Sequence, residues 1–214
     1  MRQKVLNYLR PDARVLDLGA GAGIVPPMNF SALGARLCGV DPDTIVLDNP
    51  HLDERKVGSG ESIPFENATF DLVFANNVLE HLPEPHVVFK EVHRVLKPGG
   101  MFVIKTPNQF HYVATFARLT PLCLHKWVNR LRGRSESDTY PTKYRANSSA
   151  ALRRLAAATG FKVVEVNFIE GRPEYLRLFW PAYLLGVLYE RLVNSISFLS
   201  RFCVVIVAVF AKET

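Results

Sequence analysis

The chain has 214 residues, of which 48% are hydrophobic, with 26 Lys and Arg against 20 Asp and Glu for a formal net charge of +6. That is enough apolar material to bury the core of one domain with an elaboration. Three widely separated cysteines, Cys38, Cys123 and Cys203, without CxxC spacing exclude a disulfide framework and a zinc site, which points to a reduced, cytoplasmic protein.

In chain order, MRQKVLNYLRPDA lacks a long apolar run and a small-residue cleavage site, so it is expected to belong to the fold and not to a leader. Strands are expected at Arg14 to Leu18, Arg36 to Val40, Arg55 to Gly58, Phe70 to Ala75, Met101 to Lys105, Lys162 to Phe168 and Phe202 to Phe210. Helices are expected at Met28 to Leu33, Pro85 to Leu96, much of His111 to Leu131, Ser148 to Thr159 and Pro181 to Leu199. The first helix must start late, because Pro26 and Pro27 fit only at or before a first turn. KPGG at Lys97 to Gly100 ends one helix and begins the next strand. Alternating strands and helices predict an α/β, doubly wound, mostly parallel sheet of seven strands. The longest apolar run, Phe202 to Ala211, is ten residues, against roughly 20 for a spanning helix.

Within this order VLDLGAGAG, Val15 to Gly23, carries the strongest signal. Gly19, Gly21 and Gly23 remove side chains where the first strand gives way, so a ligand can lie against bare backbone. Asp41 ends the second strand 18 residues after Gly23, where a carboxylate can accept bonds from both hydroxyls of a ribose. Two readings share this geometry. A dinucleotide site wants GxGxxG, but the third glycine comes one residue early and Ile24 follows it. In the other, Asp17 helps to hold a ligand's ammonium group.

Four ordered motifs, DLGAGAG at Asp17, GVDPD at Gly39, GESIPFENATFDLVFANNVLEHL from Gly60 and VHRVLKPGGMFVIKTPN from Val92, span Val15 to Asn108. Through them the sequence resembles the class I S-adenosylmethionine-dependent methyltransferases, of the methyltransferase type 11 kind related to quinone-biosynthesis methyltransferases. The resemblance implies a Rossmann-like fold over a single methyltransferase domain, 1–214, and S-adenosylmethionine as cofactor. It implies that Asp17, Gly19 and Gly21 line the methionine portion, with Ala20 and Gly23 in the same loop. Asp41 would bind the ribose, and Asn76 would bring its backbone to the methionine end. An acid often follows the family's third strand and contacts the adenine amino group. Here Ser59 stands in that place, leaving either Ser59, or Glu61 and the backbone at Gly60, to make the contact.

His81 in LEHL is a candidate general base, since imidazole titrates near neutral pH, or else a residue that buttresses its loop. His111 and Tyr112 follow TPN at the carboxyl end of the fifth strand and are further candidates for contacting the acceptor. Asp71 is read as a capping acid. No acid or histidine cluster has metal-ligand spacing, and no NPPY-like sequence follows the fourth strand, which disfavours methylation of nucleobase amines. An oxygen or carbon nucleophile is the expected acceptor atom.

Residues 109–147 are too long for a simple crossover and are read as a helical cap over the acceptor pocket. From His111 to Arg154 there are nine Lys and Arg and two acids. After residue 110 the balance is 15 basic to 7 acidic, against 11 to 13 before it. This half also holds Phe179, Trp180, Tyr183, Leu184, Leu185, Leu188 and Tyr189, a segment read first as a buried helix and second as an interfacial one. The expected acceptor is therefore an anionic small-molecule, glycan or lipid-linked compound, with peripheral association at the inner face of an anionic membrane as an added expectation. An RNA methyltransferase using the basic cap and a noncatalytic cofactor-binding scaffold are the alternatives. RNA is disfavoured because no RNA-binding module is appended.

Overall fold

The structure, a computed structural model, describes residues 1–31, 33–119, 142–171, 176 and 180–213. Seven strands form one sheet: β1 (Arg14–Leu18), β2 (Arg36–Asp41), β3 (Glu54–Val57), β4 (Phe70–Asn76), β5 (Leu96–Pro107), β6 (Phe161–Ile169) and β7 (Val205–Lys212). Their order is β3-β2-β1-β4-β5-β7-β6. β1 through β5 pair in parallel, whereas β7 runs antiparallel to both β5 and β6. The order reverses at β1, so the crevice between β1 and β4 opens at the carboxyl ends of the strands.

Helices cover both faces: α1 (Arg2–Tyr8), α2 (Pro85–Val95), α3 (Tyr112–Leu119), α4 (Ser149–Ala158) and α5 (Trp180–Ser195). Alternation along β1 decides the layering. Leu16 and Leu18 enter one core with Val88, Phe89 and Val92 of α2 and Leu152 of α4. Val15 faces the other way, into a core with Val5 of α1, Phe30, Leu72 and Phe74. Phe89 anchors the first core, with edge-to-face contacts to Phe102 at 5.4 Å and Phe210 at 5.7 Å, both side chains of the sheet.

Two local expectations are corrected, and one helix is added. Met28 to Leu33 is not a helix; the two prolines support one 3-10 turn, Pro26–Met28, and Asn29 Oδ1 then accepts from the Ser31 amide at 3.0 Å and turns the chain away. The amino terminus, given no helix from sequence, forms α1. The last strand starts at Val205 and not at Phe202, because Ser197–Phe202 coils into a 3-10 turn closed by the Cys203 amide on Ser200 O at 3.0 Å. KPGG behaves as expected, with α2 ending at Val95 and Gly99 at φ +75 within the opening of β5. Asp71 accepts from the Arg14 amide at 2.9 Å and from Lys97 at 2.8 Å, which ties β4 to its two neighbours at their amino ends.

Of the cap expected at 109–147, residues 109–119, with α3, and 142–147 are described, and the rest, 120–141 with Cys123, lies outside the described residues. Among the described residues no helix is long and apolar enough to cross a membrane.

Removing the Phe89 ring should leave a cavity between α2 and the sheet that the rigid strands cannot close. Phe89→Ala is expected to cost about 3–5 kcal/mol in denaturant-melt stability, and Phe89→Leu visibly less. Equal losses for the two variants would show that the ring is not packed in this way.

Candidate functional site

A cleft of about 940 Å³ sits at the carboxyl ends of β1, β2 and β4. Its floor is the glycine loop. Gly19, Gly21 and Gly23 all hold positive φ, +79, +48 and +72, so side chains there would be strained whatever space they found. A Cβ on Gly19 would strike Val78, one on Gly23 would strike Asn49, and one on Gly21 would project into open space. Gly21 is thus the place where a ligand can lie against backbone.

Loop and second strand are held together by hydrogen bonds. Gly19 and Ala20 donate their amides to Val40 O at 2.8 and 3.2 Å. The Gly21 amide donates to Asp41 Oδ2 at 3.0 Å, and the other Asp41 oxygen accepts from the Asp43 amide at 2.9 Å. From the far side Asn49, 2% exposed, donates to Ala20 O at 3.2 Å and Gly21 O at 3.1 Å. Asn49 is a positioning residue that no sequence motif marks.

Asp17 projects into the cleft from β1. Among the described residues no donor meets its carboxylate, and burial, reinforced by the nearby Asp41 charge, pushes its pKa up to about 8. An ammonium group placed here would restore the ionised form. Asn76, at the end of β4, has a buried side-chain oxygen without a partner and lines the same cleft. Ser59, Gly60 and Glu61 line it beyond β3, where Ser59 and Ser62 form an isolated bridge. The exposed side chains of Ile24, Val25 and Ile45 add apolar wall. A carboxylate pair, an orphaned amide oxygen and a bare-backbone floor suit a cofactor with a cationic amino acid end, a ribose and a flat base. Asp17, Gly19, Ala20, Gly21, Gly23, Asp41, Ser59, Gly60, Glu61 and Asn76 all lie on this one cleft.

His81 also lines the cleft, one-third exposed, with Nε2 4.0 Å from Glu80 Oε1. Glu80 was not singled out from sequence, although it stands in LEHL beside His81. It is 5% exposed, and burial raises its carboxyl above the usual range. Its other oxygen accepts from Thr106 Oγ1 at 3.2 Å, which in turn accepts from Asn147 Nδ2 at 2.6 Å. The Glu80 carbonyl accepts from the Lys143 and Tyr144 amides, so residues returning from the cap segment rest on the same turn.

His111 and Tyr112 are not on the cleft lining. α3 begins at Tyr112 and turns His111 inward, where it is 2% exposed. Its Nδ1 accepts from the Val113 amide at 3.3 Å, its Nε2 lies 3.5 Å from Glu170 Oε2, and burial lowers its pKa to about 4. Tyr112 packs against Tyr189 of α5 at 5.1 Å. Among the described residues no group of three or more His, Cys, Asp or Glu is placed to hold a metal.

Because Asp17 is largely protonated at neutral pH, binding a cation beside it should expel that proton. S-adenosylmethionine titrated near pH 7 in buffers of different ionisation enthalpy should show release of close to one proton, and affinity should climb between pH 6 and pH 8. Asp17→Asn should abolish both effects. Heats independent of buffer would show that no ligand cation meets Asp17.

Comparison with known proteins bears on the family and the fold. The profile of the family described as Methyltransferase domain matches residues 1–166. A ubiquinone biosynthesis O-methyltransferase of Maricaulis maris is 31% identical over 157 residues, 69% of this chain and 61% of that protein. A sterol 4-C-methyltransferase of Caenorhabditis elegans is 34% identical over 106 residues, 45% of this chain and 31% of that protein. The chain therefore spans less than two thirds of either relative. In fold it is similar to a SAM-dependent methyltransferase of Methanosarcina mazei, with a TM-score of 0.63 at 19% identity, covering 98% of this chain and 97% of that one. With the profile covering most of its length, from α1 into β6, the chain belongs to the class I S-adenosylmethionine-dependent methyltransferases.

Proposed function

We propose that the chain transfers a methyl group from S-adenosylmethionine to an oxygen or carbon nucleophile of a small-molecule or lipid-linked acceptor of anionic character. One observation carries this reading: His81, partly exposed and backed by the buried Glu80, shares a single cleft with the glycine loop and Asp41. The cofactor supplies an electrophilic methyl on a sulfonium. Asp41 orients the ribose, Asp17 holds the ammonium, and the glycine loop admits the chain of the ligand without a clash. His81 takes the proton from an acceptor hydroxyl or acidic carbon, and Glu80 stabilises the imidazolium that results. The relatives named for a quinone and a sterol support oxygen and carbon acceptors. The excess of 15 basic over 7 acidic residues after position 110 supports an anionic one.

Labelled methyl transfer to hydroxylated aromatic, sterol and RNA acceptors tests this reading. His81→Ala should lower turnover roughly a hundredfold or more while S-adenosylmethionine affinity changes little, and Glu80→Gln should lower it less. Transfer to RNA alone would overturn the acceptor class. Cofactor binding without transfer across all classes would favour a noncatalytic scaffold.

A further inference from the structure

β6 ends at Ile169 and β7 begins at Val205, and these two residues pair with each other, while Val205 also pairs with Pro107 at the end of β5. Residues 170–204 therefore leave and re-enter the sheet on its carboxyl rim, the rim on which the cleft opens. α5 lies in this excursion. It is tied to the fold by one side: Gly186 and Val193 are buried, and Tyr189 donates to Phe202 O at 2.7 Å while its ring meets those of Tyr112 and His111.

Among the described residues the opposite side is apolar and uncovered, contrary to the burial expected from sequence. Every fourth residue from Trp180 to Ile196 is a large exposed hydrophobic, with Trp180 73% and Leu188 55% exposed. Leu185, 69% exposed, widens the stripe, and Phe198, 65% exposed, extends it past the helix end. The helix is about 24 Å long, so this is a sustained face and not a scattered residue or two. Arg191 and Arg201 are exposed within the same stretch, and the Arg201 guanidinium lies 3.8 Å from the Phe198 ring centroid. No Asp or Glu is exposed between 180 and 201 among the described residues, since Glu190 is half-buried and accepts from Asn194.

An apolar stripe carrying uncompensated arginines needs a partner that offers hydrocarbon and negative charge together. A second copy of the same face would bring further arginines into the interface with no exposed acid from 180–201 among the described residues to pair them. An anionic bilayer offers both, with aromatic and leucine side chains at the acyl boundary and guanidinium groups among phosphates. We propose that this face of α5 docks the protein peripherally on an anionic membrane surface. The consequence for catalysis rests on the methyl-transfer reading: docking would set the cleft rim against the layer from which a lipid-borne acceptor enters.

Flotation with vesicles of phosphatidylcholine alone and mixed with phosphatidylglycerol, at low and high salt, tests the proposal. The chain has two tryptophans, so Trp127→Phe leaves Trp180 as the sole reporter, and its emission should shift to the blue on mixed vesicles. Leu184→Ser with Leu188→Ser should lower the bound fraction at least tenfold, and Arg191→Glu with Arg201→Glu should remove the preference for the anionic lipid. Melting temperature and S-adenosylmethionine affinity without vesicles should match the wild type in both variants. Absence of vesicle binding, or binding that the leucine variant leaves unchanged, would overturn the proposal. So would a concentration-dependent dimer that the leucine variant abolishes, seen in sedimentation without vesicle binding. Failure of the methyltransferase reading would register separately, as loss of cofactor binding in the vesicle-free titration.

Discussion

The hydrogen bond from the Gly21 amide to the Asp41 carboxylate joins the two halves of the cleft. Glycine at three positions makes the loop able to adopt left-handed backbone, but the same freedom would let it wander. Asp41, at the carboxyl end of β2, fixes one edge and the buried Asn49 fixes the other. A carboxylate has room for about four hydrogen bonds, so Asp41 can hold the loop with one oxygen, cap its own turn with the other and still accept from a ribose. On the proposed reading, binding surface and scaffold are the same side chain.

The cleft's electrostatics follow from that arrangement. Two carboxylates, Asp17 and Asp41, share a partly desolvated space, and the deeper one keeps its proton near neutral pH. Such a site favours a ligand that brings positive charge and rejects an anionic nucleotide tail, which separates it from a dinucleotide site built on the same turn. At the other end, buried Glu80 with Thr106 and Asn147 behind it gives the partly exposed His81 a fixed neighbour. The two ends differ in kind, one carrying two carboxylates and the other a histidine beside a buried glutamate.

Much of this was legible in the residues. Runs such as FDLVFAN are short, apolar and bounded by turn formers, so each of the seven strands was found, whereas the division of β1 between two cores became visible only in the fold. Spacing along one chain also placed Asp17, the glycines and Asp41 in a common site. Asn49 was not legible, because a buried asparagine that bonds carbonyls across a loop has no local pattern. Glu80 was overlooked beside the neighbouring histidine, because an imidazole is the more familiar general base. His111 sits at the right end of β5, but helix initiation at Tyr112 turned its ring inward, a matter of tertiary packing that sequence position does not encode. Apolar composition in α5 suggested burial, yet the helix runs along the rim with only one side against the fold.

Placement of the rim helix gives the molecule a directional character, with the charged cofactor loop and the apolar stripe at the same end of the sheet. Methyl transfer at that end depends on S-adenosylmethionine occupying the glycine-loop cleft with its ribose on Asp41. Calorimetric titration of S-adenosylmethionine into the wild type and Asp41→Ala tests this most directly. Loss of charge-assisted hydrogen bonds worth about 1.5–3 kcal/mol each should weaken binding at least tenfold. Equal affinity in the two proteins would contradict it and put the ribose elsewhere.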